Sequence, residues 1–216
     1  MKYPLWRKFL SFLPFFGKQK RQFVYVAIGD SSVEGIGASH PSYSYPAQVF
    51  EKIKKTYPSA TFYNLGQNGA RCQNVIDNQL PRLLKLKPNL VTISIGINDM
   101  RGKVYVAKFA KDLCALVETI QSETDAKIII NNIPDFSLLP TIPIYLRILA
   151  KIFIRRFNKA IETTARDFEL VLVDIFKVSK RFHKRWHEFI SEDGFHPSDS
   201  GYTLWADEII SNLKFI

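Results

Sequence analysis

Short runs of β-branched and other apolar residues alternate with helical stretches from Phe23 onward. Such alternation is typical of a parallel sheet with helices on both of its faces. The sequence therefore predicts an α/β fold, a three-layer α/β/α sandwich with about five parallel strands. The predicted strands span Phe23–Ile28, Thr61–Leu65, Leu90–Ile95, Lys127–Asn132 and Leu170–Asp174.

Helices are predicted between and after these strands. Pro46 is tolerated in the first turn of the first helix and Pro58 ends that helix, whereas Pro81 predicts a kink or a break within the second. The predicted helices span Tyr45–Tyr57, Arg71–Leu86, Val104–Ser122, Ile144–Phe168 and Ser200–Asn212.

The fourth helix contains more apolar residues than one core-facing stripe requires. Its basic residues recur every fourth position and form one stripe: Arg147, Lys151, Arg155 and Lys159. We expect core packing with a solvated basic stripe. Three other roles are open to the surplus apolar residues: lining an apolar substrate site, forming a dimer interface or contacting a membrane surface. The loop at Pro134 and Asp135, which leads into this helix, is expected to border the crevice of the sheet.

Composition sets broad limits on the protein. The chain has 216 residues, of which 46% are apolar, so it can bury a substantial core within one domain. Its two cysteines, Cys72 and Cys114, are isolated and lack metal-ligand spacing. This usage argues against a disulfide scaffold and is compatible with a reducing compartment. We expect a cytoplasmic protein without a metal site.

The net charge of +10 is concentrated in three segments. Residues 1–22, 138–161 and 177–187 contain 16 of the 30 basic residues and no acidic residue. The rest of the chain has 14 basic and 20 acidic residues. The basic character therefore belongs to local surfaces rather than to the protein as a whole.

The first basic segment, residues 1–22, also contains the apolar run Phe9–Phe16. Basic residues beside apolar ones favour peripheral contact with an anionic membrane over nucleic acid. The run is too short to cross a bilayer, and no small-residue cleavage site follows it. Packing against its own domain or a partner is the alternative. We therefore divide the chain into an N-terminal segment, residues 1–22, and a domain, residues 23–216.

Two motifs contain the residue types of nucleophilic acyl transfer. G-D-S-S at Gly29–Ser32 ends the first strand, and D-G-F-H-P at Asp193–Pro197 precedes the last helix. The carboxyl ends of parallel strands border the crevice of an α/β sheet, so Ser31 would face that crevice. A serine, a histidine and an aspartate are the parts of an acyl-transfer triad. Taken alone, the serine also fits a turn or a helix cap.

Two further motifs follow the second and third strands. N-L-G-Q-N-G at Asn64–Gly69 contains glycines that let a backbone amide approach a ligand. G-I-N-D at Gly96–Asp99 includes Asn98, whose side-chain amide can donate a hydrogen bond. Donors of this kind stabilise the oxyanion that forms in ester hydrolysis, although each motif alone also fits turn chemistry.

The four motifs, in this order and at these strand ends, resemble those of the SGNH, or GDSL-type, hydrolases. The resemblance extends from the first strand to the last helix and implies a flavodoxin-like fold and ester hydrolysis without a metal or cofactor. It implies that Ser31 is the nucleophile, with His196 as general base and Asp193 as its orienting partner. The implied oxyanion donors are the backbone amides of Ser31 and Gly69 and the side chain of Asn98.

Other residues near these motifs receive different interpretations. Ser32 stands where many members of that family have leucine, but Ser31 occupies the motif position. We expect Asp30 and Asp99 to hold their turns through local hydrogen bonds. The remaining histidines are predicted at the surface: His40, His183 and His187.

These inferences favour a serine esterase acting on acyl esters, including lipid-like esters such as lysophospholipids. An acyltransferase using the same serine is an alternative, because water and an alcohol compete for one acyl-enzyme. A flavodoxin-like binding module and a catalytically silent membrane scaffold are further alternatives, but neither explains Asn98, Asp193 and His196 together. The expected partners are a small-molecule or lipid ester and an anionic membrane surface, and no nucleic acid.

Overall fold

The computed structural model describes residues 22–182 and 185–213. Within these ranges, five parallel strands form one sheet in the order β2-β1-β3-β4-β5. Each predicted strand is present to within one residue at either end, and the predicted α/β fold is confirmed. The strands are β1 (Val24–Gly29), β2 (Thr61–Asn64), β3 (Leu90–Ser94), β4 (Lys127–Asn131) and β5 (Val171–Val173).

Helices cover both faces of this sheet. The segment predicted as one helix with a kink or break contains a π-helical turn, Val75–Gln79, just before Pro81. The wider turn lies where proline lacks an amide donor. The α-helices are α1 (Ser31–Glu34), α2 (Tyr45–Thr56), α3 (Cys72–Asn74), α4 (Leu80–Leu86), α5 (Ile97–Arg101), α6 (Val106–Glu123), α7 (Ile144–Asp167), α8 (Ile175–Ser179), α9 (Trp186–Phe189) and α10 (Asp199–Ser211).

The core consists of two apolar layers, one on each face of the sheet. Alternate residues of β1 enter different layers, with Val26 and Ile28 on one face and Tyr25 and Ala27 on the other. Helices α3, α4, α6 and α7 cover the first layer, and α2 and α10 cover the second. The central strands are therefore buried on both faces, which explains why they read as continuous apolar runs.

The strand order creates a crevice at one edge of the sheet. β1 lies between β2 and β3, so the connections that leave β1 and β3 diverge to opposite sides. Ligand sites of open α/β sheets lie outside the carboxyl ends of the strands at such a point. The loops after β1, β2 and β3 carry three of the four predicted motifs, so the fold brings those motifs to the same edge.

The expectation that α7 packs into the core holds only for its C-terminal half. Ile154, Phe157 and Ile161 are buried, whereas Ile144 and Ile148 are 79% and 75% exposed. At 24 residues α7 is about 36 Å long, while the five residues of β4 span about 17 Å. The first turns of α7 therefore extend beyond the sheet.

Two sequence expectations concern membranes. The predicted segment of residues 1–22 lies outside the described residues except for its last residue, and the division into two parts stays a prediction. In the part of the chain that the structure describes, no helix combines the length and the apolar character needed to cross a bilayer.

Gly29 and Gly69 both adopt positive φ angles, +144° and +75°, but their surroundings differ. A Cβ atom on Gly29 would lie 1.9 Å from the carbonyl oxygen of Ser94 on β3. A Cβ atom on Gly69 would meet no atom within 4 Å. Close contact with β3 therefore excludes a side chain at the first position only.

We expect Gly29→Ala to lower the free energy of unfolding by about 3 kcal/mol or more, because strain and overlap combine. Gly69→Ala is the matched control and should cost about 1 kcal/mol, from backbone strain alone. Urea unfolding followed by tryptophan fluorescence measures both values. Equal losses in the two variants would contradict the packing described for Gly29.

Candidate active site

Ser31, His196 and Asp193 form one hydrogen-bonded chain. The Oγ atom of Ser31 lies 2.9 Å from Nε2 of His196, and Nδ1 of His196 lies 2.5 Å from Oδ2 of Asp193. Ser31 is at the start of α1 and is 4% exposed, and the other two residues are in the loop before α10. The structure thus brings together the three residues predicted from widely separated motifs.

The second carboxylate oxygen of Asp193 holds the loop that carries His196. Oδ1 accepts hydrogen bonds from the backbone amides of Phe195 and His196 at 2.8 and 2.9 Å and from the Ser191 hydroxyl at 2.9 Å. Desolvation acts to raise the pKa of Asp193, but the bonds from His196, Phe195 and Ser191 outweigh it and lower the pKa. The ionised carboxylate can only accept, so Nδ1 of His196 donates to it and Nε2 is left to accept from Ser31.

The end of β1 is fixed by the side chain of Gln79. Oε1 of this buried residue accepts from the amide of Gly29 and Nε2 donates to the carbonyl of Gly29, both at 2.8 Å. The amide of Asp30 also donates to the carbonyl of Ser94 at 3.1 Å. Gln79 lies in a helical stretch, and no local pattern distinguishes it, so sequence reasoning missed this positioning residue.

Asp30 caps α1, as expected from the sequence. Its Oδ1 accepts from the backbone amide and hydroxyl of Ser32 at 3.0 and 2.8 Å. The hydroxyl of Ser32 therefore points to Asp30, while that of Ser31 contacts His196. This geometry separates the two neighbouring serines.

The predicted oxyanion donors differ in their bonding. Among residues 22–182 and 185–213, the backbone amides of Ser31 and Gly69 have no hydrogen-bond acceptor. The Nδ2 atom of Asn98 donates to the carbonyl oxygen of Ala70 at 3.1 Å. The side-chain amide nitrogen of asparagine has two hydrogens, so Asn98 keeps a second one to donate. Each predicted group can thus still donate a hydrogen bond to a ligand.

The loop after β2 is tied to α1 and α5. The amide of Asn68 donates to Glu34 at 2.5 Å, and the amide of Cys72 donates to both carboxylate oxygens of Asp99 at 3.1 and 3.2 Å. Asp99 was expected to hold its own turn through local hydrogen bonds, but its carboxylate also joins α5 to Cys72 at the start of α3, 27 positions away. Together with the Asn98 bond, this contact fixes the loop that contains Gly69.

The other histidines lie apart from this cluster where the structure describes them. His40 is exposed and bonds Ser42, and His187 is exposed on α9, as predicted. His183 lies outside the described residues. Within the described ranges, no group of three or more His, Cys, Asp and Glu residues is arranged to hold a metal ion.

Two neighbouring cavities lie at this edge of the sheet, and one of them adjoins Ser31 and His196. Both cavities are lined by the residues Pro134, Phe136, Phe195, Pro197 and Trp205. The second, which we call the apolar cavity, is completed largely by apolar side chains of two segments: Leu138, Leu139, Trp186 and Ile190. The predicted loop after β4 therefore borders the crevice.

Aromatic stacking supports the wall that the two cavities share, a feature that the sequence did not predict. The rings of Phe136 and Phe195 stack with centroids 4.7 Å apart and an angle of 10°. The guanidinium carbon of Arg101 lies 4.9 Å from the centroid of the Phe195 ring, and the Phe195 and His196 rings meet edge to face at 5.0 Å. These contacts connect α5, the loop after β4 and the histidine loop.

Sequence comparison identifies a family that includes nearly all of this domain. The model of the GDSL-like lipase/acylhydrolase family matches residues 27–204, which contain all four predicted motifs. No curated protein matches the chain significantly.

Solved esterase structures share the fold. A two-domain esterase active on acetylated mannans has a TM-score of 0.71 at 22% identity, and the alignment covers 90% of this chain and 50% of that protein, so this chain spans half its length. A variant of the acetyl xylan esterase Axe2 from Geobacillus stearothermophilus has a TM-score of 0.73 at 20% identity, covering 89% and 95%. A lipase/acylhydrolase from Enterococcus faecalis has a TM-score of 0.72 at 23% identity, covering 90% and 96%. At these identities the likenesses show a common fold.

The buried Asp30 generates a prediction about pH and stability. Burial raises its pKa to about 6, although the hydrogen bonds from Ser32 and the nearby His196 favour the charged form. The folded protein thus holds this proton more tightly than the unfolded chain does. The stabilising contribution of this protonation is complete below about pH 4 and is lost as the pH rises through about 6.

Asp30→Asn removes this titration but keeps an oxygen that can accept from Ser32. We expect the free energy of unfolding of the variant, relative to that of the wild type, to rise by about 2 kcal/mol between pH 4 and pH 7. Urea unfolding across this range measures the difference, from which titrations common to both proteins cancel. A difference that does not vary with pH would contradict the raised pKa.

Proposed function

Because the chain belongs to the GDSL-like lipase/acylhydrolase family, we propose that it is a serine esterase that hydrolyses acyl esters through Ser31, His196 and Asp193. The observation that carries the proposal is the continuous hydrogen bonding from the Ser31 hydroxyl through the His196 ring to the Asp193 carboxylate. This is the arrangement that activates a serine nucleophile, because each group orients the next.

In the first half of the reaction, the Oγ atom of Ser31 attacks the ester carbonyl carbon while Nε2 of His196 takes the hydroxyl proton. The carbonyl oxygen becomes negatively charged, and the amides of Ser31 and Gly69 and the side chain of Asn98 donate to it. Collapse breaks the bond to the alcohol oxygen, which leaves with the proton held by His196. The product is an acyl ester of Ser31.

In the second half, water attacks the acyl carbon and gives a proton to His196. The oxyanion forms again at the same donors, and its collapse releases the carboxylic acid and returns the proton to Ser31. Throughout, the ionised Asp193 keeps His196 in one tautomer and stabilises its charged form. An alcohol in place of water would make the protein an acyltransferase, so analysis of the products distinguishes the two activities.

The substrate that we propose is an ester with an apolar acyl chain, such as a lysophospholipid. The cavity beside Ser31 shares five lining residues with the apolar cavity, where Leu138, Leu139, Trp186 and Ile190 offer an acyl chain an apolar surface. An acetyl group would fill only the cavity next to Ser31. A longer chain that reached the apolar cavity would gain further apolar contact, so we expect longer chains to be preferred.

The first test of this proposal identifies the nucleophile. We expect a fluorophosphonate probe to label the wild type and Ser32→Ala but not Ser31→Ala. Ser31→Ala should also lower kcat by about 10⁴-fold or more, because the nucleophile is lost. Labelling of Ser31→Ala at the wild-type rate would reject the assigned nucleophile.

A second test concerns the side-chain oxyanion donor. Asn98→Ala should lower kcat by about 100-fold to 1,000-fold with little change in KM, because the donor acts on charge that develops in the transition state. Asn68→Ala removes an exposed amide from the neighbouring loop and should leave kcat nearly unchanged. Asn98→Ala also removes the hydrogen bond to Ala70, so a thermal melt is needed to show that the variant is still folded. A near-normal kcat in folded Asn98→Ala would remove this residue from the proposed role.

A third test measures chain-length preference with p-nitrophenyl esters and lysophospholipids. Leu138→Trp should fill the apolar cavity and lower kcat/KM for long acyl chains by about tenfold or more, while the rate with acetate esters is unchanged. Leu84→Trp, a substitution of the same size on α4, should leave kcat/KM unchanged for both long acyl chains and acetate. Equal loss for all chain lengths would show that the cavity near Leu138 does not hold the acyl group.

A further inference from the structure

The N-terminal half of α7 presents an apolar face to solvent. Five of its side chains are between 44% and 79% exposed: Ile144, Tyr145, Ile148, Leu149 and Ile152. Their spacing places them on one side of a helix, opposite the buried residues Ile154, Phe157 and Ile161. We call these five residues the apolar face of α7. A contiguous apolar surface of this kind on a helix marks an interaction site more often than a solvated surface.

The same side of α7 becomes basic in the next turns. Arg155, Arg156 and Lys159 are exposed and continue the direction of the apolar face along the helix. Residues 138–161 include no acidic residue, and the first one in α7 is Glu162. Apolar residues followed by unopposed cations are the composition of a helix that lies in the interface of an anionic membrane.

This face lies at the same edge of the sheet as the candidate active site. α7 follows the carboxyl end of β4, and Thr141, three residues before α7, donates to the carbonyl of Gly194 at 3.4 Å. Gly194 is between Asp193 and Phe195 in the loop that holds His196. A surface that binds the start of α7 would therefore lie close to the loop that holds His196.

We propose that the apolar face of α7 docks onto an anionic lipid bilayer, with its side chains in the interface and Arg155, Arg156 and Lys159 at the lipid phosphates. Charge favours this occupant over a second copy of the chain. A symmetric partner would present the same acid-free surface and would leave the cations unpaired. Lipid phosphates complement them.

Docking has a consequence for the substrate, and only this consequence rests on the proposed esterase function. An acyl ester in the leaflet that α7 contacts could pass from the bilayer into the apolar cavity without exposing its chain to bulk water. The docking itself needs no catalytic residue, so vesicle binding and ester hydrolysis can be tested separately.

The binding test uses the full chain and vesicles of phosphatidylglycerol and phosphatidylcholine. Ile144→Glu combined with Ile148→Glu should weaken co-sedimentation by about tenfold or more, because both side chains would carry charge into the interface. Tyr63→Glu combined with Ser122→Glu is the matched control, since Tyr63 is 40% exposed on β2 and Ser122 is exposed at the C-terminal end of α6. The control should bind within about twofold of the wild type. Equal binding by both double variants would overturn the proposal.

The basic residues are tested by lipid composition. Arg156→Ser combined with Lys159→Ser should weaken binding to anionic vesicles by about tenfold, and high salt should remove the difference. Vesicles of phosphatidylcholine alone should bind the wild type weakly and show little effect of these substitutions. Unchanged binding to anionic vesicles would contradict the role given to the cations.

A direct measurement separates α7 from the segment of residues 1–22. A polarity-sensitive fluorophore on Ile148→Cys should shift to shorter wavelength with anionic vesicles, both in the full chain and in a chain that lacks residues 1–22. The same fluorophore on Tyr63→Cys should not shift. Absence of the shift at position 148, or a dimer held by α7 that does not bind vesicles, would overturn the proposal.

The activity readout keeps the two proposals distinguishable. The Ile144→Glu and Ile148→Glu double variant should hydrolyse soluble p-nitrophenyl acetate at the wild-type rate. With an acyl ester embedded in vesicles, its rate should be about one tenth of the wild-type rate for the same ester or less. Vesicle binding without hydrolysis of any ester would reject the esterase and leave docking intact. Hydrolysis of soluble esters without vesicle binding would reject docking alone.

Discussion

The hydrogen bond between Ser31 and His196 joins the beginning and the end of the sheet domain, 165 positions apart. The two backbone segments that carry these side chains, the end of β1 and the loop before α10, are each fixed by further hydrogen bonds. Gln79 fixes the end of β1 through both polar groups of Gly29, and Asp193 gathers the histidine loop through three donors to one oxygen. The proposed chemistry depends on this contact more than on any other.

The strand order determines what surrounds that contact. Because β1 lies between β2 and β3, the loop with Gly69 and the start of α5 with Asn98 lie on either side of the turn that carries Ser31. The loop after β4 lies on the side of β3 and lines the apolar cavity with Leu138 and Leu139. The proposed oxyanion donors and the proposed acyl surface thus come from different strand ends, so the two can vary independently.

Local sequence signals predicted the fold and pointed to the three residues that the structure brings together at the candidate site. Contacts between distant segments account for what was missed. The strands were found because buried parallel strands leave continuous apolar runs, and the Ser31 and His196 motifs are contained in short turns. The bonds made by Gln79 and Asp99 join segments 50 and 27 positions apart, and no local pattern marks them. The sequence showed that α7 has more apolar residues than the core needs, but it did not show that the exposed ones lie in the first turns, because periodicity does not reveal how far a helix extends past its sheet.

A crystal structure of the protein after reaction with a phosphonate ester tests the proposed nucleophile and oxyanion donors together. We expect a covalent bond from the Oγ atom of Ser31 to phosphorus. We also expect one phosphonate oxygen to lie about 2.7–3.1 Å from the amide nitrogens of Ser31 and Gly69 and from Nδ2 of Asn98. An adduct on another residue, or a phosphonate oxygen that faces solvent without these donors, would rule out the proposed chemistry.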